Sequence, residues 1–122
     1  MQRVIFTTDR VKFEGELNET LTARAIIQAL PITSTVQRWG EEVYFMIPLE
    51  LRQEQPTMEV HVGDLAYWPQ GPALCIFFGP TPASNTEAPK PASPVTIIGR
   101  TTESLGTLRS IQAGRSITIA CE

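Results

Sequence analysis

The chain has 122 residues, of which 42% are hydrophobic and 19% charged, and its net charge is −3. That length predicts a single domain over residues 1–122, large enough to bury roughly two-thirds of its unfolded surface without staples. Thirteen acidic residues against ten basic ones, with no basic cluster, exclude an electrostatic nucleic-acid binder, and no apolar run is long enough for a membrane span.

Met1-Gln2-Arg3-Val4-Ile5-Phe6 reads as the start of a strand, because its apolar run is too short for a leader peptide. The chain is therefore expected in the cytoplasm. Cys75 and Cys121 are then thiols, packed as small apolar groups in strand patterns. Gln2–Thr8 is rich in β-formers. Arg10–Leu17 alternates, with Val11, Phe13 and Leu17 on one face and Lys12, Glu14 and Glu16 on the other. Gly15 interrupts the apolar face and is expected to mark a bulge.

Asn18-Glu19-Thr20 opens a helix over 19–30, with Asn18 or Thr20 as the cap. Ala23, Ile26, Ile27 and Leu30 give it one apolar face, and Pro31 ends it. Ile32–Trp39 is the next strand candidate, followed by a Gly40-Glu41 turn. Val43–Ile47 is nearly all apolar and is expected to be covered on both sides. A short strand is expected at Met58–Val62. Leu65–Trp68 and Ala73–Phe78 read as a hairpin across a Pro/Gly turn.

Residues 80–94 hold five of the ten prolines and no apolar period, which predicts a surface loop most mobile at Asn85–Lys90. Val95–Arg100 is a strand. Glu103–Ile111 is a short helix, with Leu105, Leu108 and Ile111 at three-residue spacing and Gly114 beyond its end. Ser116–Cys121 is the last strand. Many strands with two short helices predict a mainly β protein, a closed barrel whose ends the helices plug.

Several strings carry a resemblance: Leu17-Asn18-Glu19-Thr20, Trp39-Gly40-Glu41-Glu42-Val43-Tyr44-Phe45, Gly63-Asp64-Leu65-Ala66-Tyr67-Trp68-Pro69, Gly71 to Pro82, and Ile97-Ile98-Gly99-Arg100. Spread over nearly the whole chain, they resemble the small bacterial and archaeal cyclophilin-like domain proteins. The resemblance implies a closed barrel of about eight strands with two helices, and it brings no established activity with it. Cyclophilins themselves are prolyl isomerases with an arginine on a strand, followed closely by Phe-Met and then by a Gln. Here Arg38 precedes Phe45-Met46 at a spacing two residues longer, and Pro48 stands at the Gln position.

Outside that resemblance the chemistry is sparse. Glu41 and Glu42 point to opposite faces of a strand and cannot work as a pair, so a solvated turn is expected there. His61, the only histidine, sits in an alternating edge and is expected to be an exposed strand residue. One histidine and two cysteines have no metal-ligand spacing, and no serine-nucleophile or phosphate-loop motif occurs, so neither metal nor cofactor is expected.

What remains is aromatic. Trp39, Tyr67 and Trp68 fall at strand ends, where complete burial is less expected. The first reading is a non-enzymatic module that holds a peptide or small molecule in a groove lined by Arg38, Trp39, Phe45, Tyr67, Trp68, Phe77 and Phe78. The alternative is a weak peptidyl-prolyl isomerase using Arg38 and the same rings. A third reading makes those rings the interface of a homo-oligomer.

Overall fold

A computed structural model describes residues 1–122. Strands β1 (Gln2–Thr7) and β2 (Lys12–Leu17) form an antiparallel pair in which Phe6 meets Phe13, their rings stacked at 4.9 Å. The pairing runs unbroken through Gly15, so the expected bulge is absent. Gly15 faces the core instead. A Cβ there would stand 3.2 Å from both Leu65 Cδ1 and Phe6 Cε1, so the glycine makes room for two large neighbours.

Helix α1 (Leu21–Ala29) is capped as its first residues require. The Thr20 side chain accepts the Ala23 N–H, Asn18 Oδ1 accepts the Thr20 N–H, and the Glu54 carboxylate accepts the N–H groups of Leu21 and Thr22. Ala23 and Ile26 are fully buried, while Ile27 and Leu30 pack half-exposed at the edge of the core.

The segment after Pro31 decides the architecture. It is two short strands, β3 (Ile32–Thr35) and β4 (Gln37–Arg38), where the sequence suggested one. The break falls at Val36, whose N–H donates to Arg115 O while its carbonyl accepts from Gly114 N–H. β5 (Glu42–Met46), β6 (Asp64–Trp68), β7 (Ala73–Phe77), β8 (Thr96–Arg100) and β9 (Ser116–Cys121) complete one sheet. Its order is β3-β9-β1-β2-β8-β6-β7-β5-β4. The two edge strands are thus consecutive in the chain with only Val36 between them, which forces the nine-stranded sheet to curl into a nearly closed barrel. The one register shift in the β6–β8 pairing lies between Leu65 and Ala66.

Two other expectations change. Met58–Val62 forms no strand, and only Thr57 bridges to Val95. The His61 N–H is taken by the Asp64 carboxylate rather than by a neighbouring strand, and the Asp64 N–H returns to His61 O, so the backbone turns. Helix α2 is shorter than expected (Leu105–Arg109), with Ser104 accepting the Thr107 N–H. Leu108 and Ile111 are buried but Leu105 is exposed, because a helix of five residues turns only part of that row inward.

The sheet has an inner and an outer apolar layer. Val4, Phe6, Leu17, Phe45, Tyr67 and Phe78 belong to the barrel interior. On the outer side of β5, β6 and β7, the smaller cluster Val60, Ala66, Cys75, Phe77 and Val95 is flanked by Tyr44, Trp68 and Ile97. β5 and β7 are therefore covered on both faces, as their near-continuous apolar runs require. Residues 80–94 contain no helix or strand.

Candidate functional site

Strand alternation sorts the seven groove residues onto two faces. Val43 and Phe45 point inward from β5, so Glu42 and Tyr44 point outward. On β6, Tyr67 points inward and Trp68 outward for the same reason. Tyr67 is fully buried, and its hydroxyl donates to Leu49 O at 2.8 Å and accepts the Leu51 N–H at 2.9 Å. Phe45 and Phe78 are also buried in the interior, and Phe77 lies buried beneath the outer layer. These four rings are core, closed to a ligand in this structure. Adjacent residues in a strand cannot both line one groove.

Arg38 leaves the groove as well. Its guanidinium lies on the inward side, with Cζ 5.2 Å from the centroid of the Phe78 ring. Nε and Nη2 donate to Gly40 O, Nη1 donates to Arg109 O and Ile111 O, and Nη2 reaches Glu41 Oε2 at 3.2 Å. Glu41 accepts a second cation, Arg109, at 2.8 Å. All five N–H donors of Arg38 thus have partners within the chain. This arginine fastens the turn after β4 to the end of α2.

Trp39 and Trp68 do come together. With Glu42, Tyr44, Pro91, Ala92 and Val95 they line a cavity of about 180 Å³ on the outer face. The Tyr44 and Trp68 rings meet edge to face, centroids 6.2 Å apart and planes at 77°. Trp68 Nε1 donates to Ser93 Oγ at 2.7 Å, and Ser93 in turn reaches Gln70 Oε1. The far wall is thereby pinned to the hairpin. Thr81 Oγ1 donates to Lys90 O and Ser84 Oγ to Ala88 O, which folds the proline-rich loop back on itself before Pro91 enters the wall.

Glu42 corrects the expectation of a solvated turn. It is only 5% exposed, opposite Phe77 in the pairing with β7. Burial pushes its carboxyl up to about 7, opposed in part by a hydrogen bond with the Cys75 thiol. The same burial, joined by the neighbouring Glu42 charge, pushes the Cys75 thiol well up, so it stays protonated. Cys121, in contrast, is exposed. His61 is exposed too, its Nδ1 3.6 Å from Asp64 Oδ2, but in a turn rather than a strand.

A second cavity of about 260 Å³ lies at the start of α1 among Leu21, Thr22 and residues 51–54. Its one acid is already committed. Hydrogen bonds from the Thr22 backbone and hydroxyl hold the Glu54 carboxyl below its ordinary value. No ring lines it, and it lacks the convergent polar and aromatic groups of the Trp39–Trp68 cavity.

Fold and site together define a barrel of cyclophilin type with an aromatic cavity on its outer wall. Residues 2–120 match the model of the family described as cyclophilin-like, and the chain belongs to that family. The solution structure of a hypothetical protein from Archaeoglobus fulgidus is similar throughout. It shares 39% identity, with 99% of this chain and 95% of that one aligned at a TM-score of 0.84. No curated protein matches the chain.

Sequence reasoning missed Glu42, Tyr44, Pro91, Ala92 and Val95. The signal for two of them was present: Glu42 and Tyr44 are two apart in a strand and must share a face with each other. Nothing local in the sequence says that 91–95 covers that face.

Proposed function

We propose that this protein is a binding module of the cyclophilin-like fold that takes a small ligand, or one side chain of a peptide, in the outer cavity. One observation supports this reading above the rest: the chain's two tryptophans both stay half-exposed in the lining of one cavity, beside the buried Glu42, Pro91 and Val95. Large rings left partly uncovered next to an acid are where apolar area and one polar contact converge. The cavity, about 180 Å³, is smaller than the roughly 300–1,000 Å³ of sites for drug-sized molecules. A fragment-sized group therefore suits it better than an extended chain.

Prolyl isomerisation is the weaker reading. It needs a donor free to meet the prolyl nitrogen as the bond twists, and Arg38 has no donor left unpaired. Pro48 supplies no donor either.

Both tryptophans line the cavity, so intrinsic fluorescence reports its occupancy directly. A fragment library screened by tryptophan emission and thermal shift should yield binders that raise the melting temperature. Trp68→Ala should abolish their binding while the barrel still melts cooperatively. Binders that are indifferent to both Trp39→Ala and Trp68→Ala would place the site elsewhere and end this reading.

A further inference from the structure

Resting on that reading of the cavity as a ligand site, the lining specifies a charge. Trp39, Tyr44 and Trp68 present three electron-rich rings, two of them nearly perpendicular, around one opening. Ring faces of this kind attract a cation, and desolvation strengthens the attraction. Glu42, the one acid of the lining, sits among them and is almost entirely buried.

No cation of the chain answers Glu42. Arg38 and Arg109 lie on the other side of β5, bound to Glu41. The groups that face Glu42 come from each element around it. Cys75 of β7 bonds to it, and Tyr44 of β5 shares the cavity wall. Asp64 of β6 points the same way beyond Phe77, paired with His61. The covering loop carries one acid, Glu87, and one base, Lys90, between Pro89 and Pro91. Neither loop charge forms an ion pair with Glu42, whose carboxyl is shifted by burial and by the Cys75 thiol. A buried carboxylate needs a compensating charge, and the cavity leaves space for one from outside.

We propose that the cavity takes a small organic cation, its alkylated ammonium group enclosed by the rings of Trp39, Tyr44 and Trp68 and paired with the Glu42 carboxylate. The rings supply apolar contact and cation–π attraction to the alkyl groups, and the carboxylate selects for positive charge. A bare metal ion would gain little there, since the lining offers one carboxylate and no other hard ligand.

The test uses choline, a permanent cation, and 3,3-dimethylbutan-1-ol, its neutral isostere, titrated into the intact protein by calorimetry with tryptophan emission as a second readout. Choline should bind at least about tenfold more tightly than the isostere, and Glu42→Gln should cut that preference to the remainder the rings supply while leaving isostere binding in place. The wild-type protein gives an independent arm. Because choline does not titrate, its affinity should rise about tenfold between about pH 6 and about pH 8 as Glu42 ionises, and isostere binding should not follow. A rise that persists in Glu42→Gln would refute the assignment. Equal binding of the two compounds overturns the cation while the apolar ligand site stands. Failure of both compounds overturns the cation as well, and the fragment screen then decides the site on its own.

Discussion

Glu42 gives the protein a pH signature that can be read without any ligand. Its carboxyl titrates near 4.5 in the unfolded chain and is held at about 7 in the folded one. The sign follows from which state binds the proton more tightly. Here the folded state does, so below about pH 4.5 both states are protonated and nothing is lost. As pH rises toward 7 the unfolded chain ionises freely while the folded one must either hold its proton or bury a charge. Stability therefore falls across that window and levels off above it. At about 1.4 kcal/mol per pH unit the raised value amounts to about 3 kcal/mol, an upper figure because the cavity opening admits water to the carboxyl. Glu42→Gln removes the titration and keeps the shape. Urea melts of both proteins at half-unit steps should show the variant gaining on the wild type by about 2–3 kcal/mol between about pH 4.5 and about pH 7. Taking the difference cancels every other group, including Glu54, whose lowered value acts in the opposite direction and whose contribution is lost on acidification. A difference that stays flat with pH, or that favours the wild type as pH rises, would show that Glu42 is solvated and would refute the reasoning.

The other predictions follow from the remaining site residues. In a protease-coupled tetrapeptide assay the protein should accelerate Xaa-Pro isomerisation little or not at all, and Arg38→Ala should instead lower stability by about 1–3 kcal/mol through its lost charged hydrogen bonds. Arg38→Lys should not restore that loss, because an ammonium cannot span the carbonyls of Gly40, Arg109 and Ile111 together. Phe78→Ala, deep in the interior, should cost about 3–5 kcal/mol, and Trp39→Ala, half-exposed at the cavity, clearly less. If Trp39→Ala unfolds the protein as badly as Phe78→Ala in thermal melts, Trp39 is core. Amide exchange should be fastest, among interior segments, at Asn85–Lys90, where Asn85–Ala88 are exposed, and slow exchange there would contradict the loop reading.

Both helices and most of the strands were legible because they rest on local signals, and the barrel was expected from the number of strands and the family resemblance. Alternation marks β2, the 23/26 pair marks the buried face of α1, and apolar runs mark β5 and β7. The division of 32–38 was not legible. Nothing in Ile32-Thr33-Ser34-Thr35-Val36-Gln37-Arg38 says that its halves pair with strands at opposite ends of the sheet, since that is a property of closure.

The site divides along the same line. Its rings were visible as composition, but their grouping depended on face. Period two already separates Trp68 from Tyr67 and Phe77 from Phe78, so four of the seven candidate residues belong to the core by alternation plus the burial that closure brings. The same rule joins Glu42 to Tyr44. Spacing of two groups the residues of each strand as the barrel does. What alternation cannot supply is the loop that turns an outer sheet face into a walled cavity. Pro91, Ala92 and Val95 reach it from some twenty-five residues beyond Trp68, held by the Trp68–Ser93 hydrogen bond. The most informative residue of the site, Glu42, is therefore one whose cavity is walled by a segment nearly fifty residues away. A carboxylate beside a glycine turn reads as solvated until the pairing with β7 sets it opposite Phe77 and against Cys75.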